Sequence, residues 1–199
     1  MSNIGINQIN LVIPTAFGEV TERKQNVAFD ILKEKKFNGI IRDQNGTVVI
    51  LSDLNENVSI SLDRISYSKQ GNNIDVERVR DVLSSLIDAF MLDFDMFGFL
   101  DIQGTSRTEN SHNESVSLFN KKYNAKLDGL NVYGVGYRFL ISDELGEGEF
   151  KVEPLINNKL YNFHQVIFHI NKRKVSLDEL FSKLEGIIAN IDQYNINIE

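Results

Sequence analysis

The chain has 199 residues, no cysteine, no tryptophan and a formal net charge of −7. The absence of cysteine excludes disulfides, thiolate metal sites and cysteine nucleophiles, and 42% hydrophobic with 25% charged residues is the balance of a folded chain rather than a disordered one. Splitting at Phe97 leaves 10 basic and 14 acidic residues before it (−4) and 11 basic and 14 acidic after it (−3). Neither half is a basic lobe, and the runs Lys33, Lys35, Lys36 and Lys172, Arg173, Lys174 are too short to track a phosphate backbone, so nucleic acid is not an expected partner. The N-terminal stretch lacks the basic and apolar regions of a secretory signal. The longest apolar candidate for a membrane span, 82–99, is interrupted by Asp88, Asp93 and Asp95. These features predict a soluble cytoplasmic protein with no membrane association.

Ile9, Leu11 and Ile13 alternate as a strand ended by Pro14, since proline cannot donate to a ladder. A helix is predicted over 20–36, closing on Lys35-Lys36-Phe37-Asn38. Strands at 39–43 and 47–52 flank Gln44-Asn45-Gly46, where Asn-Gly predicts a tight hairpin with positive φ at both turn residues. The run 58–67 reads as one third strand, with Val58, Ile60 and Leu62 in phase and Ile65 and Tyr67 in phase again after a bulge. Asp75 then caps a helix in which Val79, Leu83, Leu86 and Ile87 form an apolar stripe, with Ile74 and Val79 at staple spacing.

A junction near 94–98 leads to a strand at 97–103, the counterpart of the first. The polar segment 105–113 is predicted to be a mobile loop, followed by a helix at 114–122 that closes on Lys121-Lys122-Tyr123-Asn124. Strands follow at 131–142, 149–155 and 160–171, the first two flanking an acidic turn at 143–148. Val166, Phe168 and Ile170 share one face of the last strand. Ser176 and Glu179 make a capping box, Val175 and Leu180 a staple, and Leu180, Leu184, Ile187 and Ile188 repeat the stripe of the earlier helix.

The matched closing helices and the two Lys-Lys-aromatic-Asn runs predict an internal duplication of a β-α-β-β-β-α unit, with repeats at 1–96 and 97–199. The predicted class is α+β, with the repeats sharing one saddle-like antiparallel sheet and all helices on one face.

Side-chain chemistry is sparse. His164 and His169 are five apart on a strand and face opposite ways, and His112 lies in the polar segment, so no histidine metal site is expected. Asp93, Asp95 and Asp101 are the carboxylates worth weighing for acid–base work, whereas Asp143, Glu144, Glu147 and Glu149 read as a solvated turn. Tyr133-Gly134-Val135-Gly136-Tyr137 lacks the third glycine and following helix of a dinucleotide loop, and its glycines are read as a bend within a strand. No nucleophile-elbow, zinc-protease or phosphate-loop motif occurs.

The run Gly134-Val135-Gly136-Tyr137-Arg138-Phe139-Leu140-Ile141 resembles the strand after the central helix in a sporadically distributed family of uncharacterised bacterial cytosolic proteins. Val166-Ile167-Phe168-His169-Ile170 with 176–191 resembles that family's closing strand and helix. The likeness covers the C-terminal third, and the first half lacks the family's proline-and-glutamate opening. The resemblance implies an accessory protein from a mobile or defence-related locus, with no established activity.

The leading expectation is a non-enzymatic protein that holds a protein partner, or a second copy of itself, on its sheet face or strand edge, in a defence, immunity or inhibitor role. The ligand- or partner-binding residues expected are Tyr67, Tyr133, Tyr137, Arg138 and His169; Phe139 and Phe168 are assigned to the core. The alternative is a small-molecule binder with a pocket between sheet and helices, using Tyr133, Tyr137, Arg138 and His169. The third expectation is a hydrolase using Asp93, Asp95 or Asp101 with His169. No cofactor or metal is expected.

Overall fold

The alternation of Ile9, Leu11 and Ile13 builds β1 (Gly5–Pro14), which stops at the proline. In the computed structural model, residues 4–72, 74–92, 98–108, 110–123, 131–171 and 175–191 are described. Helix α1 (Glu22–Glu34) follows β1, capped by the Thr21 hydroxyl, and buries Ala28 and Leu32. An antiparallel meander of β2 (Phe37–Arg42), β3 (Val48–Ser52), β4 (Glu56–Ile60) and β5 (Arg64–Gln70) leads into α2 (Val76–Phe90). The second half runs β6 (Gly98–Arg107), α3 (Ser111–Tyr123), β7 (Tyr137–Ser142), β8 (Gly146–Pro154), β9 (Tyr161–Ile170) and α4 (Leu177–Asn190).

Among the described residues nine strands form one antiparallel sheet in the order β2-β3-β4-β5-β1-β6-β9-β8-β7. The protein is therefore α+β, as the hairpin and stripe patterns imply. The first strand of each half lies at the centre, with Ile9 opposite Ile102 and Leu11 opposite Leu100, and each meander fans outward from it. These four side chains are buried, as are Ile65, Tyr67, Phe150, Val166 and Phe168 on neighbouring strands. The layer facing them holds Val79, Val82, Leu83, Leu86 and Ile87 of α2 and Leu180, Phe181, Leu184 and Ile187 of α4. The two helices are tied by Arg80, whose guanidinium reaches Asp178 at 2.9 Å and Glu185 at 3.2 Å and lies 4.8 Å from the Phe181 ring centroid. Asp75 and Ser176 cap α2 and α4 as expected, and Ser176 forms the complete box with Glu179. None of the described helices is long and apolar enough to cross a membrane.

Several local expectations give way. The segment 58–67 is not one bulged strand but the two arms of a hairpin, β4 and β5, with Ile60 paired to Ile65. Leu62 and Asp63 form its tip, where the Ser61 amide donates to the Arg64 carbonyl at 3.0 Å and the Ser61 hydroxyl donates to Asp63 Oδ1 at 2.9 Å. The shift of apolar phase between Ile60 and Ile65 is the parity change of a two-residue turn, and the first half accordingly has four strands between its helices. In the Asn-Gly turn, Gly46 has φ 80° but Asn45 is not left-handed. The Asp43 carboxylate sets that turn instead, accepting from the Asn45 and Thr47 amides at 2.8 Å each.

Of the expected loop at 105–113, residues 105–107 end β6 and 111–113 begin α3, with Ser106, Ser111 and His112 buried. Its polar groups are matched by distant partners: the Ser106 hydroxyl and His164 Nε2 are 2.7 Å apart, and the Ser111 hydroxyl donates to the Lys159 carbonyl at 3.0 Å. The strand expected over 131–142 begins only at Tyr137. Upstream, the Val135 amide donates to the Ser115 hydroxyl at 3.0 Å rather than to a ladder.

Gly134 and Gly136, read as a bend within a strand, precede β7 and have the side chains of Pro154 and Glu153 beside them, whereas glycines of β8 lie against backbone. A methyl group at Gly148 would lie 2.1 Å from the Ile167 carbonyl oxygen of β9. Gly148→Ala is expected to lower unfolding stability by about 2 kcal/mol or more, because backbone rather than a side chain would have to yield. Gly186→Ala in α4, where nothing lies within 4 Å, is expected to raise it by about 0.5–1 kcal/mol. Urea denaturation of the two variants side by side checks both signs.

Candidate functional site: the open face of the sheet

With the apolar residues of each strand turned toward the helices, the period of two sends the intervening residues to the opposite face. At the sheet centre these are Ser68 of β5, Asn10 of β1, Asp101 and Gln103 of β6, and Gln165 of β9. Register lines them up: Asn10 lies opposite both Ser68 and Asp101, and Gln103 opposite Gln165. The Ser68 hydroxyl donates to Asn10 Oδ1 at 2.6 Å, and Asn10 Nδ2 donates to Asp101 Oδ2 at 3.3 Å. Gln103 Nε2 donates to Asp101 Oδ2 at 3.1 Å, and Gln165 Nε2 to Asp101 Oδ1 at 2.8 Å. A hydrogen-bonded row thus crosses four strands and converges on one half-buried carboxylate.

The donors to Asp101 are all neutral amides. Among the described residues no Lys or Arg forms an ion pair with it, unlike Glu56, Asp63, Asp143 and Glu149. Bonds from neutral donors to a charged acceptor hold the carboxylate in one orientation without neutralising it. A carboxylate offers about four lone-pair positions; the three amides make four contacts with them, the weakest from Gln103 Nε2 to Oδ1 at 3.4 Å, and a charged donor would compete there. The arrangement is a preoriented anionic acceptor.

Around it the open face is mixed. Val12, Phe99 and Ile167 share the face by register with Asn10 and Asp101, and His169 packs its ring 5.2 Å from that of Phe99. Toward the β7 edge, Lys151 at 2.5 Å and Arg138 flank Glu149 and together hold its carboxyl below the usual range. Glu147 and Glu153 are exposed on β8.

The five expected binding residues do not converge. Tyr67 lies in the core at 1% exposure, which removes it from any partner surface. Its odd-numbered position on β5 shares the helix-facing side with Ile65, and burial together with the nearby Glu56 pushes its phenol well above the ordinary tyrosine range. Glu56 itself is a fully buried acid held by Arg78, with Nε at 2.8 and 2.9 Å, and by Lys69 at 3.6 Å. Tyr137 turns to the helix side and donates to the Ser115 carbonyl at 3.4 Å. Tyr133 is 63% exposed and its ring lies 5.6 Å from that of His112. Only Arg138 and His169 reach the open face. Phe168 is buried as assigned, whereas Phe139 is 41% exposed.

His164 and His169 do face opposite ways, the first fully buried and the second exposed. No cluster of three metal-ligating side chains occurs among the described residues. Asp93 and Asp95 lie outside the described residues; Asp101 is the one weighed carboxylate that the fold places at a site. A cleft of about 680 Å³ opens beside His112, Tyr133, Gly134, Gly136, Glu153 and Pro154, and Tyr137, Arg138 and His169 do not line it. The residues missed from sequence are Asn10, Ser68, Gln103 and Gln165. The available signal was an amide or hydroxyl at the off-phase position of a central strand, as in Ile9-Asn10-Leu11. No protein-family model matches this chain, and no curated protein matches it either.

The acidic turn before β8 is organised rather than merely solvated. Asp143 accepts from the Leu145 and Gly146 amides at 2.8 and 3.2 Å and pairs with Lys183 of α4. Burial alone would raise its carboxyl, but the Lys183 ammonium and the two amides outweigh it and hold the group below its ordinary value. A carboxyl depressed in the folded state contributes stability above its unfolded pKa of about 3.9 and loses it as pH falls through the folded value. Asp143→Asn is therefore expected to be less stable than the parent at pH 7, with the gap closing below about pH 4. Urea midpoints across that range check the sign.

Proposed function

We propose that the protein is a non-enzymatic interaction protein that receives a cationic segment of a protein partner on the open face of its sheet. The observation that carries this reading is Asp101, a half-buried carboxylate oriented by Asn10, Gln103 and Gln165 and left without a counter-ion among the described residues. A lysine or arginine of the partner would supply the counter-charge that the neutral amides do not, and Phe99, Val12 and Ile167 would supply apolar contact around it. Exposed Glu147 and Glu153 add negative charge on β8 and disfavour a phosphate backbone. The C-terminal resemblance supports an accessory, immunity or inhibitor setting for such binding.

A small-molecule reading keeps one observation of its own. His112 is buried at the wall of the 680 Å³ cleft, its Nε2 donates to the Leu155 carbonyl at 2.8 Å, and its Nδ1 has no partner among the described residues.

The main proposal is tested with short arginine-containing peptides and matched glutamate peptides as probes, titrated at low salt against isotope-labelled protein. Arginine peptides are expected to move the side-chain amide signals of Asn10, Gln103 and Gln165, and Asp101→Asn to weaken them about tenfold, or about 1.4 kcal/mol. Asp63→Asn, in an exposed turn, is expected to leave binding unchanged. Equal binding of the glutamate peptides, or equal affinity in the Asp101→Asn protein, would defeat the proposal.

A further inference from the structure

The sheet has two ends, and they are built differently. At β2 the edge is broken by a register shift between Phe37 and Gly39 and carries exposed Lys36 beside Arg42, which donates to the Val20 carbonyl at 3.2 Å, although Ile41 is 55% exposed. Irregular backbone and flanking cations are the usual guards against strand addition. At β7 the edge reads Tyr137-Arg138-Phe139-Leu140-Ile141-Ser142 and pairs with β8 in unbroken register. Leu140 is 83% exposed and Phe139 41% exposed, and the one cation, Arg138, is engaged by Glu149. Among the described residues nothing pairs with the outer side of β7. An edge strand of this kind presents a row of backbone donors and acceptors beside exposed apolar side chains.

We infer that β7 pairs with β7 of a second copy of this chain, antiparallel and two-fold symmetric about Leu140. Side chains directly opposite must share a face, so the axis falls on a residue, and the alternatives can be ranked by what they juxtapose. An axis at Arg138 sets two like charges opposite each other. An axis at Phe139 sets Arg138 against the apolar Leu140 of the other copy. An axis at Leu140 sets Leu140 against its own copy, Arg138 against Ser142, and Phe139 against Ile141. That register covers the most exposed apolar residue of the strand, keeps the guanidinium groups apart, and joins the two sheets into one. The interface is isologous and closes at two copies, because pairing β7 with its own copy uses up that edge in both chains.

Sedimentation velocity over a concentration series tests the inference. A monomer–dimer equilibrium is expected, and Leu140→Lys is expected to raise its dissociation constant about tenfold or more. Leu140 is 83% exposed, so the monomer should melt as the parent does, which circular dichroism checks. The cysteine-free sequence allows a second readout. Under mild oxidation Leu140→Cys is expected to form a covalent dimer readily and Arg138→Cys is not, because its two copies would lie four residues, about 13 Å, apart. A chain that stays monomeric to about 1 mM, a dimer indifferent to Leu140→Lys, or cross-linking of Arg138→Cys as fast as Leu140→Cys would each overturn it. Asp101 is not on β7, so the outcome is independent of the peptide-binding proposal.

Discussion

Pairing of β1 with β6 is the constraint on which the rest of the molecule depends. Each half alone would be a meander with its first strand exposed at one edge, and the antiparallel match from Gly5↔Thr105 to Val12↔Phe99 removes both of those edges together. Side chains opposite each other on these two strands point the same way, so the helices of both halves must lie on one side. The joint tolerates little variation. At Gly104, beside the register shift between Ile6 and Gln8, a methyl group would meet Ile4 at 2.8 Å and the Gly5 carbonyl oxygen at 3.0 Å.

The helix layer crosses the same line. Arg80 of α2 spans to Asp178 and Glu185 of α4 above the Phe181 ring, so the halves are held together once through backbone and once through side chains. Exposed ion pairs of this sort contribute little each, about 0–1 kcal/mol, and the buried stripes of the two helices dominate. Further out, the Glu56–Arg78 pair fixes α2 over β4, and Arg78 Nη2 also donates to the Lys35 carbonyl at 2.9 Å, tying in the end of α1. The core is therefore anchored both at the joint and in the first half.

What the sequence made legible follows from which signals are local. Caps at Asp75 and Ser176 and the stripes behind them are set by neighbouring residues, and they appear where expected. Apolar alternation located the central strands for the same reason. The β4–β5 hairpin was hidden because its tip, Leu62-Asp63, carries neither glycine nor proline, and its only mark was a change of phase. The stretch from Ser106 to His112 looked mobile because polarity was visible and its partners, His164, Lys159 and Leu155, are more than forty positions away. Two of the candidate binding residues show the same distinction: an aromatic on a strand does not declare its face, and Tyr67 and Tyr137 face the helices. The polar row was illegible because no member is unusual alone; it exists only once register sets Asn10 beside Asp101 and Gln103 beside Gln165.

That row also has a structural use. A slip of one residue at the joint would carry Asn10 and Asp101 into the core and turn Ile9 and Ile102 outward, so polar residues at these positions lock the register. The lock requires hydrogen-bonding groups of the right length and nothing more. Ser68, Asn10, Gln103 and Gln165 meet that requirement without charge, and an amide in place of Asp101 would meet it once a neighbouring amide turned over to accept from its NH2, since all three neighbours now donate. Charge is thus not what locks the register: the amide neighbours orient the carboxylate and bring no counter-charge to it. A carboxylate without a counter-ion among the described residues, set in the polar row at the middle of the sheet, is explained more simply by what binds there than by what it stabilises.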